Sequence, residues 1–194
     1  MNTIAVFCGS STGYDPVYRE QAALLGKTLA RRQYEIVYGG SKIGLMGALA
    51  DASLEEGGRV TGVIPYFLNS KEIEHPLLTK TIKVQTMHER KTKMNELSDA
   101  VIAMPGGFGT LEEFFEILTW AQLGLHKKPM GLFNINGYFD PLMEMLRSMK
   151  EKGFLKESNY KMVLISPTID DLLNKMDKYV AVPSAKWIHN KDMT

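Results

Sequence analysis

Ala100-Val101-Ile102-Ala103-Met104-Pro105-Gly106-Gly107-Phe108-Gly109-Thr110-Leu111-Glu112-Glu113 passes from a short apolar run, through a glycine-rich turn, into a stretch of helical period. Five continuously apolar residues closed by Pro and Gly read as a strand buried on both faces, the kind found inside a parallel sheet. The same succession occurs twice upstream. One run ends in Cys8-Gly9-Ser10-Ser11-Thr12-Gly13, another in Gly39-Gly40-Ser41-Lys42-Ile43-Gly44-Leu45-Met46-Gly47. Strands are expected over 3–8, 35–38, 59–64, 100–104, 130–133 and 162–165. Helices are expected over 16–32, 45–56, 87–98, 111–124, 139–152 and 169–180. Asp15-Pro16 and Asp140-Pro141 suit helix starts, and Gly57-Gly58 and Gly153 suit helix stops. Alternating strands and helices imply right-handed crossovers. The expected fold is therefore α/β, a Rossmann-like doubly wound parallel sheet with helices on both faces, in a single domain over 1–182. A polar tail follows at 183–194, and 66–83, which has no clear period, reads as a long connection over one sheet edge.

Bulk composition agrees. The chain has 194 residues, 44% hydrophobic and 23% charged, with 23 Lys+Arg against 22 Asp+Glu. That length suits one domain with a proper core, and that charge balance speaks against a nucleic-acid partner, since neutralising many phosphates takes a basic excess. No apolar run approaches the ~18 residues of a membrane helix, and no export signal is evident. Cys8 is the only cysteine, which fits a reducing, cytoplasmic setting. The four histidines (His75, His88, His126 and His189) show no ligand pairing, so neither a metal nor another cofactor is expected. The 12 Met read as core filler, and Cys8 as a small buried hydrophobe.

In a parallel sheet all strand C-termini lie at one edge, so the three glycine turns should converge on one crevice. Glycine lets a ligand approach the backbone closely, and helix N-terminal amides favour phosphate. Gly9, Ser10, Gly39, Gly40 and Gly44 are candidates for such a loop. None of the turns is a GxGxxG with a following ribose-binding acid, nor a GxxxxGK[ST]. A mononucleotide or sugar phosphate remains. Thr110 and Glu113 fit two readings: the S/T-x-x-E capping box, or a carboxylate in the crevice fit for acid-base work, with Glu112 as a possible contributor. Arg90-Lys91 stands in a local excess of five cations (with Lys80, Lys83 and Lys93) over Glu89. Lys80, Lys83 and Lys93 read as a solvated face, whereas Arg90 offers a planar fork suited to phosphate or carboxylate. Its helix starts at the ligand edge only if the preceding connection returns there.

PGGxGTxxE at 105–113, with Met87-His88-x-Arg90-Lys91, resembles the LOG (LONELY GUY) family, the cytokinin riboside 5′-monophosphate phosphoribohydrolases. The likeness extends to Gly39-Gly40…Gly44-Leu45-Met46-Gly47, Thr119-Trp120-Ala121-Gln122-Leu123-Gly124 and Lys128-Pro129…Gly137-Tyr138, and covers residues 4–180. It implies hydrolysis of the N-glycosidic bond of a purine ribonucleoside 5′-monophosphate by a metal-independent homodimer. By motif position it makes Arg90 and Glu113 the catalytic pair. Lys91, Gly107, Phe108, Gly109, Thr110, Leu111 and Glu112 fall with them on the substrate, as do Glu72 and Thr119. The second turn reads Gly-Gly-Ser-Lys where plant-like members tend to have a third glycine, a departure expected to alter the local contacts through Lys42. Some relatives carry the label lysine decarboxylase, but the sequence offers no independent support for a pyridoxal-phosphate site. The helix at 111–124 is apolar around too much of its circumference for one core-facing stripe, which points to a twofold mate.

Overall fold

β1 (Thr3–Phe7), β2 (Glu35–Tyr38), β3 (Val60–Pro65), β4 (Lys80–Val84), β5 (Ala100–Ala103), β6 (Met130–Phe133) and β7 (Val163–Ser166) form one parallel sheet. Their order across it is β4-β3-β2-β1-β5-β6-β7. The structure is a computed structural model that describes residues 1–68 and 73–181. The tail expected at 183–194 lies outside the described residues.

Successive strand residues point to opposite faces, which divides the core into two layers. Ile4 and Val6 of β1, with Ile36, Tyr38 and Ile102, pack under α1 (Pro16–Arg31), α2 (Gly44–Glu55) and α7 (Ile169–Asp177). Ala5 and Phe7, with Val37, Val63, Val101 and Ala103, pack under α3 (Met87–Leu97), α4 (Phe108–Gln122) and α5 (Asp140–Glu151). A short α6 (Glu157–Tyr160) precedes β7. Helices therefore cover both faces, and the strand order reverses direction at β1, between β2 and β5.

Local chemistry sets the helix ends. Asp15 Oδ1 accepts from the Val17 N–H at 3.0 Å, with Pro16 in the first turn of α1. Gly153, at φ +82°, follows the end of α5 in the left-handed conformation that ends many helices. Asp140 does not cap α5. It lies inside the first turn and accepts from Asn134 Nδ2 at 2.7 Å.

The connection expected at 66–83 instead holds a strand. β4 pairs with β3 from Thr61↔Lys80 to Pro65↔Val84. It is an edge strand of sequence KTIKV in which only Val84 is buried, so it lacks the continuous apolar run by which the inner strands are recognised. Upstream of it, residues 73–75 are laced to the second glycine turn. The Lys42 N–H donates to Ile73 O at 2.9 Å and the His75 N–H to Gly40 O at 3.0 Å. His75 is buried and its Nε2 lies 2.9 Å from Asp51 Oδ1 on α2. Because β4 ends at the carboxyl edge, α3 begins there.

Asp15→Ala is expected to lower stability by about 1 kcal/mol, read as a fall in the urea midpoint at unchanged slope.

Candidate active site

The three glycine turns meet at the carboxyl edge because their backbones are bonded together. The Gly9 N–H donates to Pro105 O at 3.0 Å and the Leu45 N–H to Gly9 O at 3.1 Å. Gly44, at φ +65°, lies so close that a Cβ there would overlap the Ser10 carbonyl. Tyr138 braces the third turn through its hydroxyl, which donates to Gly106 O at 2.5 Å. Between the turns opens a cavity of about 320 Å³, lined by Gly9, Ser10 and Gly39 on one side and by Arg90, Thr110 and Glu113 on the other. Gly40 and Gly44 are not on its wall; they shape the turn behind it. A larger groove of about 660 Å³ lies between α1 and the start of α7. Its two acids, Asp140 and Asp170, are already held by Asn134 and Arg32.

Arg90 reaches the cavity from the first turn of α3. Thr86 Oγ1 accepts from the Glu89 N–H at 3.0 Å, and Glu89 Oε2 accepts from the Gln85 N–H at 2.6 Å. This Thr-x-x-Glu pair does the capping that the sequence also allowed for Thr110 and Glu113. The Arg90 guanidinium lies against the bare α-carbon of Gly39, where any Cβ would overlap Nη2. Its Nη1 is 3.5 Å from Glu113 Oε1, the two side chains being 12% and 10% exposed. Arg90 Nε is buried without a hydrogen-bond partner, so the guanidinium retains donor capacity at the cavity.

α4 starts at Phe108 with Gly107 as its N-cap and no capping side chain. Thr110 is therefore in the first turn, buried beneath Gly106, and Glu113 points inward. Burial pushes the Glu113 carboxyl above the usual carboxylate range; Arg90 pulls it back, while Glu112 adds to the rise. Cys8, on the cavity floor, is buried too, and burial followed by the Glu113 charge pushes its thiol up. A Cβ at Gly107 or Gly109 would meet nothing within 4 Å. The first amides of α4 have no acceptor within the helix and point where the dipole favours an anion. Unlike Gly39, these two glycines keep space open rather than fit around protein atoms.

Of the other expected contacts, some line the cavity and some do not. Lys91 is buried but is not on the cavity wall; it pairs with Glu112 and Glu116. Phe108 lines the cavity mouth and is 95% exposed. Leu111 packs against the α3–α5 layer. Thr119 is exposed, its hydroxyl donating to Phe115 O at 2.7 Å, about 13 Å along α4 from Thr110. Glu72 lies outside the described residues. Met46 and Met87 line the cavity, Met46 while also packing against the core, and only their place beside the second turn and at the α3 start could have signalled it. Among the described residues no lysine is on the wall and no cluster of metal-ligating side chains occurs.

A crevice at the reversal of a doubly wound sheet, closed by glycine turns and holding a buried arginine–carboxylate pair, defines a doubly wound α/β protein with a candidate site at its switch point. The family described as "possible lysine decarboxylase" matches residues 46–176. The probable cytokinin riboside 5′-monophosphate phosphoribohydrolase LOGL2 of Oryza sativa subsp. japonica is 43% identical over 95% of this chain and 78% of its own. The cytokinin riboside 5′-monophosphate phosphoribohydrolase LOG7 of Arabidopsis thaliana is 42% identical over 91% and 81%. With those relatives and that match, the chain belongs to the LOG family. The molybdenum cofactor binding protein of Rippkaea orientalis shares the fold at a TM-score of 0.69 and 20% identity, over 91% of this chain and 95% of its own.

Gly109→Ala is expected to raise stability by up to about 1 kcal/mol, since alanine is the better helix former, yet to weaken binding of inorganic phosphate at the open first turn. Gly39→Ala should instead displace Arg90 and lower stability. Paired urea denaturation and calorimetric titration check both.

Proposed function

We propose that the protein hydrolyses the N-glycosidic bond of purine ribonucleoside 5′-monophosphates, cytokinin-type or AMP, to the free base and D-ribose 5-phosphate. The observation that carries this reading is the buried Arg90–Glu113 pair beside the open first turn of α4. The substrate phosphate sits on the amides at Gly107, Gly109 and Thr110, which places the ribose over Glu113. Cleavage passes through an oxocarbenium-like state, whose positive charge the Glu113 carboxylate stabilises while directing water to the anomeric carbon. Arg90 orients that carboxylate and the ribose-phosphate end. The names of the relatives support the same reaction.

A non-catalytic nucleotide sensor on this fold would need the glycine turns but not a carboxylate buried against an arginine at the cavity's depth. The decarboxylase description has less support, because among the described residues no lysine that could hold pyridoxal phosphate covalently lines the cavity.

A homodimer completes the reading. α4 buries Phe114, Ile117 and Ala121 against the sheet, while Leu111, Phe115, Leu118 and Trp120 pack at the margin of the same layer and stay half-buried. A twofold mate covering that face would also cover the exposed Thr119.

Incubation with AMP and with its N6-isopentenyl derivative should yield free base and ribose 5-phosphate, and the rate ratio sets the specificity. Glu113→Gln is expected to keep the fold and lose at least about 100-fold in turnover, and Arg90→Ala to lose both affinity and rate. A well-folded Gln variant of normal turnover would overturn the assignment. Light scattering at micromolar concentration should return twice the 21.8 kDa chain mass; a monomer mass would reject the dimer.

A further inference from the structure

α3 and α4 meet along a charged seam. On α4, Glu112, Glu113 and Glu116 are spaced so that their carboxyls all crowd towards α3. On α3, Arg90 answers Glu113. Lys91, one residue further and about 100° round the helix, answers the other two: its Nζ is 2.5 Å from Glu112 Oε1 and 3.0 Å from Glu116 Oε2. The Lys91 side chain is only 8% exposed and stands behind the cavity wall. His88 Nδ1, at 3.9 Å from Glu116 Oε1, belongs to an exposed side chain at the rim of the same seam.

We propose that Lys91 is a positioning residue for the reaction: by clamping Glu112 and Glu116 it keeps Glu113 charged and held opposite Arg90. The groups facing Glu113 are Arg90 and Lys91 from α3, Glu112 and Glu116 from its own helix, and the Cys8 thiol beyond the end of β1. Burial works against the carboxylate, the two cations favour it, and the two acids oppose it. Burial also works against the Lys91 ammonium, but its two carboxylate partners outweigh that and hold it charged. Removing Lys91 subtracts a favourable charge and leaves two uncompensated unfavourable ones. Both effects stabilise the protonated, ineffective form of Glu113.

The kinetic arm of the test rests on the phosphoribohydrolase reading; a carboxyl titration does not. Lys91→Met is expected to shift the acid limb of kcat/KM to higher pH, costing about tenfold at the acidic end per unit of displacement, with little change in the Kd for ribose 5-phosphate. Carbon NMR of labelled glutamate, with the Glu113 signal assigned through Glu113→Gln, should show the same upward displacement without any turnover. Adding Glu112→Gln and Glu116→Gln to Lys91→Met should return both to the wild-type position or below. An unmoved limb and titration with a tenfold weaker Kd would make Lys91 a ligand contact and overturn the proposal. So would a triple variant that stays displaced upward. If Lys91→Met does not fold, Lys91→Gln takes its place, with the same upward displacement expected and an unmoved titration overturning the proposal. If the wild-type protein leaves every nucleotide intact, the functional reading fails, while the Glu113 titration still judges the clamp.

Discussion

A guanidinium and a carboxylate, both largely removed from water, face each other 3.5 Å apart at the carboxyl edge of the sheet, and neither charge could remain there alone. Much of the surrounding architecture follows from seating them. Arg90 needs a neighbour without a side chain, which is Gly39 at the end of β2. Glu113 needs its helix to begin three residues before Thr110 would allow as a cap, so α4 starts from Gly107. Both helices must begin at the same edge, which requires a strand ahead of each. Removing either partner would leave a desolvated charge, a loss larger than that of the contact itself.

The inner strands and the convergence of the glycine turns were legible in the sequence, because a strand covered on both faces has to be apolar throughout. β4 was not, since at the sheet edge Lys80 and Lys83 satisfy it as well as valines would. That one omission left the position of Arg90 open, for β4 is what returns the chain to the carboxyl edge. Two Thr-x-x-Glu patterns, at 86–89 and 110–113, look alike as text. Only the first caps a helix, and the second is decided by where Gly107 lets α4 begin. Arg90-Lys91 reads as one basic unit, yet consecutive helical residues diverge by about 100° and take these two side chains to different tasks.

The glycines sort by what surrounds them. Gly39, Gly44 and Gly106 are filled in by neighbouring protein atoms, so their smallness is used up by packing. Gly107 and Gly109 have no such neighbours. A motif match treats all five alike. The difference separates residues that assemble the crevice from those that leave it room for a ligand, and it rests on local contacts rather than on likeness to other proteins.

The crossover from β4 to β5 has a consequence for how the chain folds. α3 leaves the far edge strand and returns beyond β3, β2 and β1 to reach β5. Arg90 therefore rides on the only helix that joins the first four strands to the last three. Contacts between elements so placed require the two halves of the sheet to be joined. The Arg90–Glu113 pair thus doubles as a record of completed assembly: a chain with two formed but undocked half-sheets would have every strand in place and its arginine and carboxylate still apart.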